Sequence, residues 1–254
     1  MRAGLASVLI ALAASSAAVS ARADDRPRSC DVSAYLLTSD SPLPRVASAV
    51  KAGGPLNILV VGGRSSTISG AESEAYPAKL QAALREKLPT VPVNVSMELT
   101  PRKTAGDIAP SLGKLAEAKK STLVVWQTGV VDAIRSVDVD DFREALDQGV
   151  TALQRAGTDI VLMNMQYSPR TETMVSMASY IDNMRIVAQQ HDVPVFDRFT
   201  IMNQWNESGE FDLFSPVHGA SLAKRVHSCL GRALSTFVIK TARINPAELG
   251  TRRR

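Results

Sequence analysis

The sequence predicts a three-layer α/β/α sandwich around a mostly parallel, five-stranded sheet, and three observations lead there. Five short apolar runs, rich in β-branched residues, recur along the chain. Between them lie stretches with helical spacing, each about ten or more residues long, which is what a crossover between parallel strands needs. The runs are apolar throughout rather than alternating, as strands covered on both faces are.

Taken in order, Leu56–Val61 (LNILVV) reads as the first buried strand. Tyr76–Leu88 follows with Leu80, Ala83, Leu84 and Leu88 on one helical face. Val93–Met97 is the second strand, and Thr104–Ala118 a helix with Asp107 in its first turn. Thr122–Trp126 (TLVVW) is the third strand. Asp141–Arg155 is an amphipathic helix carrying Phe142, Leu146, Val150 and Leu153 and ended by Gly157. Asp159–Met163 is the fourth strand, Glu172–Gln190 the next helix, Val193–Phe196 a short fifth strand and Ser221–Ile239 the last helix. Residues 24–55 read as a lead-in with a short helix at Leu43–Lys51. With no internal repeat or composition shift, residues 56–239 are expected to be one domain.

Composition narrows the function. The 254 residues are 45% hydrophobic and 21% charged, which excludes global disorder. Two cysteines and three histidines leave no room for a four-thiolate zinc module and little for multi-histidine metal chemistry. The formal net charge is +4, but it sits at the ends. Met1-Arg2-Ala3, an apolar run from Gly4 to Val19 and Ala21-Arg22-Ala23 have the layout of a secretory leader, with cleavage expected after Ala23. Residues 240–254 form a basic tail of net +4, expected to be disordered, and the body between carries −2. A nucleic-acid partner, which needs a basic face on the folded body, is not expected. Neither is a membrane span after leader removal. Export to the periplasm or beyond makes pairing of Cys30 with Cys229 the expectation, closing a loop of 199 residues.

Ligands of open α/β sheets bind beyond the carboxyl ends of the strands. After the first strand comes Gly62-Gly63-Arg64-Ser65-Ser66-Thr67, a tight turn that can expose a serine nucleophile whose own N–H helps hold an oxyanion. After the second comes Gly106, whose amide enters a helix. After the third comes Gln127-Thr128-Gly129-Val130-Val131-Asp132; after the fourth, Gln166 and Tyr167. Asp212 and His218 lie near the C-terminus.

This set resembles the SGNH/GDSL hydrolases, particularly exported proteobacterial members, from about Leu56 to Phe237. Gly63–Thr67 is similar to the family's Gly-Asp-Ser-x-Thr block, Gly106 to its second-block glycine, and Val124–Asp132 (VVWQTGVVD) to its third block. Asp159–Pro169 and Phe196–Trp205 (FDRFTIMNQW) resemble connecting segments, and Cys229–Leu234 the C-terminal helix. The resemblance implies a flavodoxin-like SGNH fold and a serine esterase needing no metal or organic cofactor. Ser65 would be the nucleophile, His218 the base with His227 as second choice, and Asp212 the orienting acid. The amides of Ser65, Gly106 and Gly129 would form the oxyanion hole. Arg64, Val131, Asp132, Gln166 and Tyr167 would line the cleft. Arg64 can bind an anionic substrate or pair with a carboxylate; Asp132 can also cap a helix.

Three positions depart from the family pattern. Arg64 stands for the first-block aspartate, Val131 for the third-block asparagine, and Ser215 for the aspartate three residues before the histidine. Loss of one oxyanion donor costs about 2.7–4 kcal/mol of transition-state stabilisation. Two functions are therefore weighed: hydrolysis of acetyl or acyl esters of small molecules or envelope glycans, and binding of a glycan or partner without hydrolysis.

Overall fold

The structure, a computed structural model, describes residues 30–214 and 219–249. The expected leader, His218 and the end of the basic tail lie outside the described residues.

The elements in chain order are α1 (Pro44–Ala52), β1 (Leu56–Gly62), α2 (Tyr76–Lys87), β2 (Val93–Leu99), α3 (Ala105–Ala118), β3 (Leu123–Gln127), a short α4 (Val130–Ile134), α5 (Val139–Arg155), β4 (Asp159–Met163), a one-turn α6 (Pro169–Glu172), α7 (Ala178–Gln190), β5 (Val195–Phe196), α8 (Arg198–Glu207), α9 (Gly219–Thr241) and a one-turn α10 (Pro246–Leu249). The strands pair in the order β2-β1-β3-β4-β5, all parallel. The chain steps from β1 outward to β2, then crosses back to β3. The order thus reverses at β1/β3, and the crevice at their carboxyl ends is where such a sheet binds ligands.

Both faces of the sheet are covered, so every strand but the edge strand β2 is nearly continuous in burial. On β1, Ile58 and Val60 join one cluster with Leu80 and Leu84 of α2 and Leu230 and Leu234 of α9. Leu59 and Val61 point the other way, into a cluster with Leu112 of α3, Leu146 and Val150 of α5 and Met184 of α7. The lead-in belongs to the first cluster through Leu43, Val46 and Val50. Asp159 anchors it: from the amino end of β4 its Oδ2 accepts from the Val46 amide at 2.9 Å. The Cys30–Cys229 disulfide is formed and ties the lead-in to α9. By loop entropy a closure of this length contributes roughly 5 kcal/mol.

Three elements differ from expectation. The helix expected over Glu172–Gln190 begins only at Ala178: the one-turn α6 ends at Glu172, and the stretch between them turns so that Met177 is buried while Met174 stays out. β5 is shorter, starting after Pro194, which has no N–H to donate; its carbonyl still accepts from Leu162 N at 3.0 Å. The segment FDRFTIMNQW, read as a connector, contains α8, capped by Asp197, whose side chain accepts from Thr200 N. Among the described residues, no helix is long and apolar enough to cross a membrane.

Candidate active site

The strand β1 ends on Gly62, and the site begins there. A Cβ on Gly62 would stand 2.3 Å from Ser66 Oγ and 3.3 Å from Gln127 Cβ, so only glycine lets the turn fold back against β3. The turn Arg64–Ser66 is one of 3₁₀ helix that buries Ser66 and leaves Ser65 half-buried. Ser66 Oγ donates to Gln127 Oε1 at 2.7 Å.

Gln127, the last residue of β3, is the centre of the site. Its Oε1 also accepts from Arg198 Nη1 at 2.9 Å and from the Tyr76 hydroxyl at 3.2 Å. A guanidinium can only donate, so the atom facing Arg198 must be the oxygen, and the amide has one chemically consistent orientation. Its Nε2 therefore donates to Ser65 Oγ, at 2.7 Å. Arg198 Nη1 lies 3.4 Å from the same oxygen, and Nη2 donates to Ser65 O at 3.1 Å and Gln166 Oε1 at 3.4 Å. Ser65 Oγ is thus a double acceptor, and its own proton is directed away from Gln127 and Arg198.

Arg198 is fully buried, and none of the ion pairs among the described residues includes it. Its Nε has no partner there. Burial pulls the guanidinium down to about 10, still protonated at neutral pH. Neutral oxygens and the Tyr76 ring, 5.7 Å from the guanidinium carbon, are what hold it. Its place is set by the preceding Asp197, which accepts from Asn164 Nδ2 at 2.7 Å, Thr200 N at 3.0 Å and Arg185 Nη2 at 2.9 Å. Burial pushes the Asp197 carboxyl up, but these bonds outweigh it and hold it below the usual carboxylate range. A buried, carboxylate-free cation beside a serine is costly for stability, and such groups cluster at functional sites.

A cavity of about 410 Å³ opens beside Ser65, lined by Arg64, Val131, Gln166, Arg102, Ile134 and Arg135. A second, of about 200 Å³, is lined by Gln166, Tyr167, Arg198 and His227. Gln166 borders both. Tyr167 packs edge-on against Phe199.

Other expected residues serve differently. Asp132 is not a cleft wall: it is buried, and its Oδ1 accepts from Ala105 N at 2.9 Å, fastening the start of α3. Burial raises its pKa, opposed by the backbone amides of Ala105, Asp132 and Gly129. Gly129 is needed for its backbone, at φ +99°. The Gly106 amide sits in the open first turn of α3, outside the walls of the cavity beside Ser65. The Ser65 N–H takes no acceptor among the described residues.

His227 corrects the second choice of base. It is buried on α9, and its Nδ1 accepts from Tyr76 N at 3.0 Å, so its proton is on Nε2 and its one lone pair is occupied. Burial, then repulsion from Arg198, pull it down to about 3. His191 pairs at the surface with Asp147, 2.7 Å away. Asp212 is exposed, and its Oδ1 accepts from Phe214 N at 3.0 Å. His218 lies outside the described residues.

Sequence reasoning missed Gln127, Arg198, Ser66 and Tyr76 as members of the site. For the first two a signal existed: Gln127 ends the third strand and Arg198 follows the fifth, both at the carboxyl edge where polar residues count.

The five-stranded parallel sheet between helical layers is an SGNH-type fold. The described chain superposes on the acetylxylan esterase Axe2 of Geobacillus stearothermophilus (a catalytic mutant) with a TM-score of 0.58 at 17% identity, over 75% of this chain and 95% of that one. It superposes on LAE5, an α/β hydrolase from the metagenome of Lake Arreo, Spain, with a TM-score of 0.57 at 19% identity, over 74% and 96%. A two-domain esterase active on acetylated mannans gives 0.63 at 13% identity, over 85% of this chain and 57% of that one. These likenesses establish the fold. No curated protein matches the sequence. The model of the non-GDSL lipase-like family matches residues 29–244, and the chain belongs to that family.

Proposed function

We propose that the protein is an exported serine hydrolase of ester bonds, acting on acetyl or acyl groups of small esters or envelope glycans at the Ser65 cleft. The observation that carries this is Ser65 itself. It stands at the switch point of an SGNH sheet, its Oγ held by Gln127 and Arg198 with the N–H open beside a cavity. Ser65 Oγ attacks the ester carbonyl, and its proton passes to a base, for which His218 is the candidate. The alcohol departs, and water releases the acyl group from Ser65. The Ser65 N–H donates to the developing oxyanion, and the buried Arg198 charge, bonded to Ser65 O from behind the cavity, favours negative charge there, in the place of the donor missing at Val131. Membership of a lipase-like family and the esterases among the structural neighbours support the reading. The leader ending at Ala23 and the catalytic body at 56–239 belong to the same proposal; the tail expected to be disordered from 240 is instead ordered at its start, where α9 runs on to Thr241, Ala242 is buried and Ile244 packs on the core.

A fluorophosphonate probe tests it. Labelling of Ser65, located by peptide mass spectrometry and absent in Ser65→Ala, is the expected result. A folded protein that neither labels nor turns over aryl acetates rejects it. One observation favours the second reading, binding without hydrolysis: among the described residues no base is hydrogen-bonded to Ser65. Saturable binding of an acetylated oligosaccharide without turnover is its signature.

A further inference from the structure

The walls of the cavity beside Ser65 are of two kinds. Val130, Val131 and Ile134 give it an apolar side, on which Ile134 is 58% exposed. Arg64, Arg102 and Arg135 line the rest, brought by three separate segments: the turn after β1, the turn after β2 and the end of α4. No carboxylate is among the cavity's lining residues. Asp107 reaches Arg135 Nη1 only at 4.0 Å, and its Oδ2 already accepts from Thr104 N at 3.0 Å in the α3 capping box. Arg102 is held at φ +61°, a left-handed conformation that disfavours a long side chain. Three guanidinium groups around one concavity repel one another and focus a positive potential into it. A carboxylate or phosphate relieves that repulsion, and guanidinium forks bind both in bidentate fashion.

We infer that the substrate is an anionic ester, with a carboxylate or phosphate seated among Arg64, Arg102 and Arg135 while its acyl group lies on Val130, Val131 and Ile134 beside Ser65. This rests on the hydrolase reading for its chemistry, but the anion site is testable without turnover. It also explains why an arginine, rather than the family's aspartate, precedes the serine.

The test compares 4-acetoxybenzoate with its neutral methyl ester, and 4-acetoxyphenyl phosphate with 4-methoxyphenyl acetate, each rate corrected for hydroxide-catalysed hydrolysis. The anionic member of at least one pair is expected to be preferred about tenfold in kcat/KM, and the pair that shows it tells carboxylate from phosphate. Raising the salt from about 20 mM to about 500 mM shrinks the preference. So does each of Arg64→Gln, Arg102→Gln and Arg135→Gln, with circular dichroism confirming the fold. Equal rates for anionic and neutral esters overturn the inference while the hydrolase reading stands. If the wild type turns over nothing, calorimetric titration of the same compounds decides. Anion-selective binding lost in the arginine variants upholds the site and drops the hydrolase. Unselective or absent binding ends the inference.

Discussion

Asp159 and Arg198 are both buried charged residues, and they sit at opposite edges of one sheet. Asp159 opens β4 at the amino edge, where its carboxylate accepts from the Val46 amide at the start of α1. Arg198 follows β5 at the carboxyl edge, where neutral oxygens and an aromatic face are its partners. The first has a complementary partner, the positive end of a helix; the second has no opposite charge. On the proposed function, the difference separates a charge kept for the fold from one kept for chemistry. A site residue is expected to trade stability for activity, and a structural one to do neither.

The strongest way to break the contrast is Arg198→Met. It removes a costly buried cation and leaves Gln127 Oε1 still bonded by Ser66 and Tyr76. The variant is expected to unfold no earlier than the parent in a thermal melt. Hydrolysis of an aryl acetate, or fluorophosphonate labelling of Ser65, is expected to fall about a hundredfold. A destabilised variant with unchanged labelling would make Arg198 a structural residue. Gln127→Leu is next, and here both readouts fall. It strands the Ser66 and Tyr76 hydroxyls and takes one acceptor from Arg198, so chemical denaturation is expected to show a loss of about 3 kcal/mol.

Asp159→Asn sharpens the other side. Burial raises the folded pKa to about 6 against 3.8 for a free aspartate. Between those values the native state binds more protons than the unfolded chain, so this group's contribution to stability falls as pH rises from about 4 to about 6. The asparagine keeps an acceptor for Val46 and does not titrate. Its stability relative to the wild type is therefore expected to increase over that window, measured by urea titration at successive pH values. The smallest effect on the labelling of Ser65 is expected from His227→Asn. The histidine's folded pKa is depressed to about 3, so its contribution is complete above the unfolded value of about 6.5 and is lost as pH falls toward 3. The variant, which keeps an acceptor for the Tyr76 amide, is expected to escape that acid loss and to retain labelling of Ser65. Loss of labelling would restore His227 as the base.

Much of the architecture was legible in the chain. Five apolar runs and the helical spacing between them place every strand, because burial on both faces and crossover length are written locally. Ser65, Arg64, Val131 and Gln166 were legible as cleft residues for the same reason: each lies just past a strand end. Asp132 was misread as a cleft wall because a carboxylate after a strand can serve either a ligand or a helix start, and the α3 amide that claims it is 27 positions away. α8 was missed because its one strong signal, the capping Asp197, stands inside a segment with little amphipathic pattern.

The sequence alone determined the layer order, the exported character expected of the chain and the serine at the end of β1. Tertiary structure alone decided what surrounds that serine. Gln127 and Arg198 are 71 positions apart, and Ser65 and Arg198 are 133 apart. No local pattern reports such a meeting. It follows from the reversal of strand order at β1/β3, which carries three chain segments to one crevice and closes a buried cation over the nucleophile.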